Sequence, residues 1–486
     1  MKIVIFALVC IIVFLSPAPV FAGSPMRNTR VPSYIYNRFV AGEDGFLSVH
    51  APLPYRFYRS VNASDMGVPA LTHINDLFYR NGLFFITHGS SLIITNRDFV
   101  AIHILEGVYV DGVFNSFGIL EGIFVTDNGD IYIAEPAAGH VIHLDSDLNL
   151  ARYLGHPEGL LIPGGLTYQP REVAVDQNGR IFVISTNILE GIVEKNPDGT
   201  FNRFFGVINV TFTPMELFWR TIATPAQRAR MNLWLPMTFT NITIDNNGFV
   251  YAVLSDGTLG ESVRRLNARG ENILRRPDNF GVGDVVFNSF GIGIPVGPSI
   301  ISDVDVTDFG VYYVYDRTRN RVFAYDNDGN LLFAFGGIGE REGLTQNIVG
   351  FVIADNLVVK ADRQTQSFEV FERTSYGQYI IDASYHQYHA NYMLAAENWR
   401  RVLEYNPYFQ YANLGVGRAL YRNGYFAEAQ EYFLRAQSPL YYSRAFRETR
   451  TELLENNMIF IFVGLLAVVV FNITIKVIKR KRGIRQ

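Results

Sequence analysis

The sequence predicts a mainly β protein, a six-bladed β-propeller, followed by a short α-helical block and one transmembrane helix. Three observations support this prediction. A unit containing two polar turns recurs six times between about residues 70 and 380, and helical spacing replaces it from about residue 385. An uncharged apolar run, Met458 to Ile475, then lies close to the C-terminus and is long enough to cross a membrane as a helix.

Composition and charge exclude several classes of protein. The 486 residues are 48% hydrophobic and 18% charged, which excludes a disordered or collagen-like chain. The only cysteine, Cys10, lies in an N-terminal apolar run, so a disulfide scaffold, thiol catalysis and thiolate metal sites are excluded. The net charge is −4, and setting aside the seven positive charges of Lys2 and the C-terminal tail leaves about −11 between them. Nucleic acid is therefore not an expected partner.

The two ends of the chain predict secretion and membrane anchoring. Residues 1–22 have a basic start, an apolar stretch and small residues before a cleavage site after Ala22, as a secretory signal peptide does. A transmembrane helix is predicted over 457–477, and the basic tail 478–486 predicts a cytoplasmic C-terminus. We therefore expect a single-pass protein of the cell membrane whose N-terminal domain lies outside.

The repeated unit predicts the propeller. Asn-Gly or an equivalent pair marks one turn of each unit, and these turns are the strongest local indication of a hairpin. A second polar turn follows about 20 positions later, so each unit supplies two hairpins, which make a four-stranded blade. Because a single blade is marginally stable, six blades are expected to close around an axis. The first turns lie at Gly82, Gly129, Gly179, Gly248, Gly310 and Asp355-Asn356.

The propeller is predicted to span residues 23–383, with a helical insertion at about 212–236 where the spacing between turns is too long for a plain blade. Closing the ring requires one strand from the N-terminal side to complete the last blade. Tyr34 to Phe39 and Tyr55 to Val61 are both candidates, and the sequence pattern does not choose between them.

Residues 384–456 are predicted to form tetratricopeptide-like helices. Ala395, Trp399 and Val402 recur 34 residues later as Ala429, Phe433 and Ala436, which is the period of that repeat. A further expectation concerns packing between the paired helices: Gly417 allows close approach, while Tyr425 and Phe433 fill the space between them.

One candidate site emerges when the innermost strands are aligned. Four oxygen-bearing residues fall at about the same place just before the apolar run of their blades: Asp76, Glu172, Asn241 and Asp303. Asn75 competes with Asp76 in the first blade, the second and sixth blades offer Gly122 and Gly350, and Glu121 could lean in. Converging oxygens at a channel mouth could hold Ca²⁺. The alternative is that these residues face a water-filled channel and bond neighbouring loops.

No catalytic residue is predicted. Nucleophile, metalloprotease, phosphate-loop and dinucleotide-binding motifs are absent from the sequence. The nine histidines are scattered, and strand alternation separates neighbours such as His140 and His143, so a zinc site is not indicated.

The best-formed unit, VYYVYDRTRNRVFAYDNDGNLLFAFGG at residues 311–337, resembles the NHL repeat of six-bladed propellers. Asp316, Asn320 and Arg321 stand where that family has its Asp and Asn-x-Arg. In other units these residues differ: the Arg place holds His140 in the second unit and Ser262 in the fourth. The resemblance therefore predicts architecture rather than functional residues.

The order of segments as a whole resembles membrane-anchored NHL-repeat proteins of Gram-positive bacteria that occur beside carbohydrate ABC importers and are sometimes labelled gluconolactonases. The resemblance implies a role connected with glycan uptake. We therefore expect a non-catalytic scaffold that binds a protein or a glycan, with an ABC importer as one such partner. The alternative is a calcium-dependent lactonase or ester hydrolase, because gluconolactonase-type propellers use a calcium ion near the channel mouth.

Overall fold

The computed structural model describes residues 51–157, 168–186, 188–207, 238–255, 262–275, 282–283 and 299–483. The predicted signal peptide, the strand candidate Tyr34 to Phe39 and the predicted helical insertion lie outside these ranges. The described residues form six antiparallel sheets that are the blades of a β-propeller, as the sequence predicts, together with a small additional hairpin.

Each blade is built from consecutive strands, the first being the innermost. Blade 1 contains β2 (Ile74–Arg80), β3 (Leu83–His88), β4 (Ser91–Thr95) and β5 (Ala101–Leu105). The additional hairpin follows, with β6 (Gly107–Val110) and β7 (Val113–Ser116). Blade 2 contains β8 (Ile123–Val125), β9 (Ile131–Glu135), β10 (His140–Leu144) and β11 (Leu150–Leu154).

The next three blades follow the same plan. Blade 3 contains β12 (Pro170–Val175), β13 (Ile181–Ser185), β14 (Ile192–Lys195) and β15 (Phe201–Phe205). In blade 4 the described strands are β16 (Phe239–Ile244), β17 (Val250–Leu254) and β18 (Val263–Leu266). Blade 5 contains β19 (Ile301–Val306), β20 (Tyr312–Asp316), β21 (Arg321–Tyr325) and β22 (Leu331–Gly336).

Blade 6 closes the ring with a strand from the N-terminal side. Its own strands are β23 (Ile348–Ala354), β24 (Leu357–Asp362) and β25 (Ser367–Arg373), and the outermost strand is β1 (Tyr55–Val61). Of the two closure candidates, the structure thus selects Tyr55 to Val61. Tyr55 is buried, stacks on Phe335 with ring centroids 4.6 Å apart, and its hydroxyl lies 3.1 Å from that of Tyr313. The closing strand is therefore anchored on blade 5 as well as on blade 6.

The blades pack face to face around the axis. Each innermost strand contacts the innermost strands of both neighbours, including β2 of blade 1 against β23 of blade 6, so the ring is continuous. The second strand of a blade lies between two apolar layers, and all five residues of β9, β13, β17 and β20 are buried. This explains the aromatic and aliphatic runs that follow each Asn-Gly turn, because a strand covered on both faces needs no polar alternation.

One hydrogen bond recurs in all six blades. At or just after the end of the second strand, a side chain accepts the backbone N–H of the segment that precedes the first strand, at 2.5–3.2 Å. We call this residue the acceptor position. It is occupied in chain order by His88, Glu135, Ser185, Ser255, Asp316 and Asp362. The sequence shows the aspartates of this position as largely lost, whereas the structure shows that four other side chains perform the same function.

Seven helices occur in the described ranges. The short α1 (Ala63–Met66) follows β1. Two helices follow the last blade, α2 (Ser375–Tyr388) and α3 (Tyr392–Tyr405). The Tyr388 hydroxyl accepts a bond of 3.0 Å from Asn247 Nδ2 in blade 4, and Tyr385 packs on Phe309 in blade 5. Helix α2 therefore lies against the turns that join the first and second strands.

The C-terminal unit, which starts at Asn406, contains α4 (Gln410–Arg422), α5 (Phe426–Arg435), α6 (Pro439–Asn456) and α7 (Met458–Gly483). Phe433 is fully buried and lies so close to Gly417 that a Cβ atom there would be 2.7 Å from its ring, which confirms the predicted packing. The prediction for Tyr425 is wrong: it is 58% exposed, because it is the residue that precedes α5. Helix α7 includes a 21-residue segment, Met458–Ile478, long and apolar enough to cross a membrane.

Candidate functional site at the axis of the propeller

A β-bulge sets the position of the candidate site residues. In blades 1, 3, 4, 5 and 6 the pairing of the first and second strands slips by one residue near the start of the first strand. The residue directly after the slip is the same structural position in each blade. That position is held by Asp76, Glu172, Asn241, Asp303 and Gly350. The alignment of these residues from sequence thus matches the pairing of the strands.

The bulge also decides between Asn75 and Asp76. Asn75 is the extra residue of the slip between Ile74 and Asp76, so Asp76 holds the equivalent position. The Asn75 amide instead bonds outward, donating to the Leu120 carbonyl at 2.6 Å and accepting from Arg363 at 3.0 Å. Asp76, and not Asn75, is therefore equivalent to Glu172, Asn241 and Asp303.

In blade 2, Glu121 and Gly122 both oppose Ala134, which marks the same bulge: the Glu121 N–H donates to Ala134 O, and the Ala134 N–H donates to Gly122 O. Glu121 is thus the extra residue. Its carboxylate is 2.6 Å from the guanidinium of Arg171, the extra residue of blade 3. Glu121 therefore forms an ion pair between neighbouring blades.

The two aspartates of the position connect adjacent blades. Asp76 accepts the N–H of Leu77 at 2.8 Å and that of Ile123 in blade 2 at 2.9 Å. Asp303 accepts the N–H of Val304 at 2.7 Å and that of Phe351 in blade 6 at 2.9 Å. Each carboxylate therefore binds its own strand to the next blade.

A third aspartate, which the sequence alignment did not single out, repeats this arrangement one layer deeper. Asp305 accepts the N–H of Val306 at 2.8 Å and that of Ile353 at 2.7 Å. It lies two residues beyond Asp303 and on the same face of β19, since side chains alternate along a strand. The pattern Asp-Val-Asp in an innermost strand was the available indication.

Glu172 and Asn241 differ from the aspartates. In the described part of the chain, the Glu172 carboxylate accepts no hydrogen bond, and the buried Oδ1 of Asn241 has no partner. A buried oxygen without a donor is unfavourable by about 1–3 kcal/mol. These two side chains carry the oxygens that a bound cation would use.

The two glycines provide space for the carboxylates. A Cβ atom on Gly350 would lie 3.1 Å from Asp76 Oδ1 and 3.8 Å from Asp303 Oδ2, so Gly350 separates these two side chains. A Cβ atom on Gly122 would overlap Glu172 and approach the Arg171 carbonyl to 2.5 Å. The glycines of blades 2 and 6 are therefore part of the arrangement, because any side chain there would displace an acid.

Burial raises the pKa of every acid in this group. The pKa of Asp76 rises to about 7, and that of Asp305 to about 6. Burial also places the pKa of Glu172 and that of Asp303 well above their usual range, and the negative charge of Asp76 adds to both shifts. The acids are thus close enough to repel one another, and the group favours either bound protons or a cation.

The arrangement of the acids bears on the predicted calcium site. Within the described ranges, no group of three or more histidine, cysteine, aspartate and glutamate side chains is arranged to hold a metal ion. Asp76 and Asp303 use both carboxylate oxygens in bonds to backbone N–H groups, whereas Glu172 and Asn241 do not. The calcium site therefore stays a prediction, and its two most suitable ligands are Glu172 and Asn241.

The fold and this axial ring of acids define the chain as a six-bladed β-propeller. No protein-family model matches the chain, and no curated protein matches it. Solved structures do match in fold. Virginiamycin B lyase from Staphylococcus aureus is 11% identical with a TM-score of 0.39, over 66% of this chain and 100% of that one.

Two bacterial proteins give similar values. The extracellular domain of a proposed one-component system from B. thetaiotaomicron is 14% identical with a TM-score of 0.39, over 68% of this chain and 40% of that one. A structural genomics protein of unknown function from Bacteroides thetaiotaomicron is 11% identical with a TM-score of 0.41, over 68% of this chain and 78% of that one. These likenesses concern the fold alone.

Proposed function

We propose that the chain is a membrane-tethered extracytoplasmic scaffold, an NHL-type propeller with a tetratricopeptide-like block, that binds a protein or glycan partner and assists carbohydrate uptake. The observation that carries the proposal is an apolar strip on the outside of blade 1. The strip consists of large side chains that the fold leaves exposed: Ile102, Ile104, Tyr109, Val113 and Phe114.

The strip is built by β5 and the hairpin β6–β7. Ile102 and Ile104 lie on the outermost strand and are about half exposed, at 50% and 48%. Tyr109 and Phe114 pair across the hairpin with ring centroids 5.3 Å apart, and Tyr109 is 72% exposed. These side chains come from consecutive segments of the chain, and exposed apolar side chains that group on a folded protein mark a contact surface. The strip therefore favours a protein partner over a glycan at this place.

The tether is proposed from α7 and the charges that follow it. The helix exposes Ile459, Phe460 and Phe462, each by more than two thirds, which suits lipid and not water. The basic residues after its apolar part favour a cytoplasmic tail. The propeller would then stay close to the outer face of the membrane, where a transporter or another membrane protein is at high local concentration.

Photo-crosslinking tests this function in native membranes. A photoreactive residue at position 109 of the full-length chain is expected to give a discrete protein adduct, and Phe114→Ser should reduce its yield. The same residue at position 58, an exposed tyrosine on the outermost strand of blade 6, is the matched control. Equal adducts at both positions, or none at position 109, would count against the proposal.

The second candidate function is the calcium-dependent lactonase or ester hydrolase. The observation that favours it is the pair of oxygens without hydrogen-bond donors, on Glu172 and Asn241, beside acids that repel one another. Titration calorimetry with Ca²⁺ is the first test, and Glu172→Gln is expected to weaken the binding. Absence of heat at millimolar Ca²⁺ removes this candidate.

A further inference from the structure

A cavity of about 330 Å³ lies between blades 5 and 6 and has the chemistry of a small-molecule site. Its volume is within the range of ligand pockets in proteins. Its floor is apolar, with Tyr315 and Ile348 buried and Ile300 about one-third exposed. Ile300 directly precedes the innermost strand of blade 5 and Ile348 begins that of blade 6, so the cavity opens on the side of the ring where these strands begin.

The polar side chains around this floor are without partners. Within the described ranges, the Arg317 guanidinium and the side-chain amides of Gln346 and Asn347 make no hydrogen bond. The Thr318 hydroxyl oxygen is buried and also has none. By contrast, the polar groups of the floor are satisfied, because the Tyr315 hydroxyl donates to Asn320. Arg317 and Asn347 are exposed and Gln346 is half-buried, so their polar groups are available to a ligand above one apolar floor.

The loops that carry these side chains are held in place. Asp316 accepts the N–H of Thr318 at 2.9 Å and that of Ile300 at 3.1 Å. Asp362 accepts the N–H of Gln346 at 2.8 Å and that of Asn347 at 3.2 Å. Both aspartates are fully buried. The acceptor positions of blades 5 and 6 therefore fix the backbone of the rim, and a ligand would meet a preformed site.

The charged and polar side chains of the cavity indicate the class of ligand that it would bind. Arg317 is the one charged side chain among its lining residues, and no carboxylate lines it. A guanidinium binds a carboxylate through two parallel N–H···O bonds. The amides of Gln346 and Asn347 each offer donors and an acceptor, which is what hydroxyl groups require.

We propose that this cavity binds a sugar acid, with the carboxylate on Arg317 and the hydroxyl groups on Gln346 and Asn347. The inference names a ligand for the binding role proposed above and rests on it. A sugar acid is a unit of acidic polysaccharides, so the site would let the scaffold hold the acidic end of a glycan while the strip on blade 1 contacts a protein.

Titration calorimetry with D-glucuronate on the full-length chain in detergent tests the inference. D-glucose, which lacks the carboxylate, and acetate, which lacks the hydroxyl groups, are the reference ligands. We expect saturable binding of glucuronate, with glucose and acetate at least about tenfold weaker, because a hydrogen bond to a charged group contributes about 1.5–3 kcal/mol. Absence of glucuronate binding, or equal affinity for glucose or acetate, would overturn the inference.

Variants locate the site. Arg317→Gln should weaken the affinity for glucuronate at least about tenfold and leave the affinity for glucose unchanged. Asn347→Asp should have the same effect, because it places a negative charge opposite the carboxylate of the ligand. Arg275→Gln is the control, since this exposed arginine pairs with Asp328 and lies outside the cavity. An unaltered affinity in Arg317→Gln would contradict the proposal. The crosslinking at position 109 is independent, so failure here is distinguishable from failure of the scaffold function.

Discussion

Blades 5 and 6 differ from blades 1, 3 and 4 in how they make the same hydrogen bond. In the described part of the chain, Ser185 and Ser255 each accept one backbone N–H at the acceptor position, and His88 accepts one through a ring nitrogen. Asp316 and Asp362 each accept at least two, from both loops above the blade. One accepted N–H at this position is common to all six blades, and a serine side chain accepts it in blades 3 and 4.

The difference indicates where function has been added to the repeat. A carboxylate has two oxygens and can order two loops at once, whereas a hydroxyl orders one. The cavity whose rim carries Arg317, Gln346 and Asn347 lies at the two blades that retain the aspartate. Retention of aspartate thus coincides with the preformed rim of the cavity.

The largest expected effect comes from removing one of these carboxylates. Asp316→Ala would leave two partly buried N–H groups without this acceptor and remove the carboxylate that lies 3.4 Å from Arg319, so we expect a loss of about 4 kcal/mol in unfolding free energy. Ser185→Ala, the matched change in blade 3, should cost about 1 kcal/mol. Denaturant unfolding in detergent measures both. Equal losses would show that the acceptor positions are equivalent after all.

Gly122 in blade 2 and Gly350 in blade 6 hold the same position, and they should differ in how much stability is lost when a side chain is added. Gly122→Ala would push a methyl group against the Arg171 carbonyl and the Glu172 backbone, and we expect a cost of about 3 kcal/mol. Gly350→Ala meets the Asp76 side chain at 3.1 Å, which can shift, while Asp303 and the Leu77 nitrogen lie at an ordinary contact distance of 3.8 Å, so about 1 kcal/mol is expected. Thermal unfolding of the two variants tests this order, and the reverse order would contradict the placement of the carboxylates.

Removing the charge of Glu172 in blade 3 and removing that of Asp303 in blade 5 should have opposite effects on the stability of the protein. The pKa of Glu172 is raised in the folded state, so its contribution to stability is greatest below its unfolded pKa near 4.5 and is lost as pH rises. Glu172→Gln should therefore stabilise the protein by about 1 kcal/mol at pH 8 and have no effect near pH 4. Asp303→Asn replaces one carboxylate oxygen by an NH₂ group, so the N–H of Val304 or that of Phe351 loses its acceptor. This variant should therefore not stabilise the protein.

These two variants are compared by unfolding at several pH values without added metal. Destabilisation by Glu172→Gln at pH 8 would show that the charged form of Glu172 is the favoured one. If added Ca²⁺ makes the unmodified protein more stable than Glu172→Gln, the calcium candidate gains support, because a cation stabilises the ionised carboxylate.

The smallest effect belongs to His88 in blade 1. Its Nε2 accepts the Thr72 N–H at 2.9 Å, which requires a neutral ring, and burial lowers its pKa. The stability it contributes is present above its unfolded pKa of about 6.5 and is lost as pH falls. We expect a loss of about 0.5 kcal/mol between pH 7.5 and 5.5 that His88→Ser removes. An unchanged pH dependence in that variant would contradict a neutral acceptor.

The sequence predicted the number of blades and their turns because both depend on local chemistry. An Asn-Gly pair between apolar runs determines a hairpin almost independently of the rest of the fold, and a strand buried on both faces leaves an apolar run. The β-bulge before Asp76 was not predictable in this way. It adds one residue without changing the composition, so Asn75 and Asp76 could not be ordered from the pattern.

Closure and the cavity depend on contacts that are distant in sequence. Tyr55 completes its blade by packing on Phe335 and bonding Tyr313, which local pattern does not show. The cavity requires Arg317 and Asn347 to face one another across a blade boundary. The roles of His88 and Ser185 were also not predictable, since neither resembles the aspartate that it replaces.

A disulfide between β1 and β25 tests most directly that six blades close through Tyr55 to Val61. Arg56 and Glu372 are register partners with a contact of 2.6 Å, and cysteines at such a pair can bond. Oxidised Arg56→Cys with Glu372→Cys should give an intramolecular disulfide at full yield, and Arg38→Cys with Glu372→Cys none. A disulfide from position 38 and none from position 56 would contradict the closure described here.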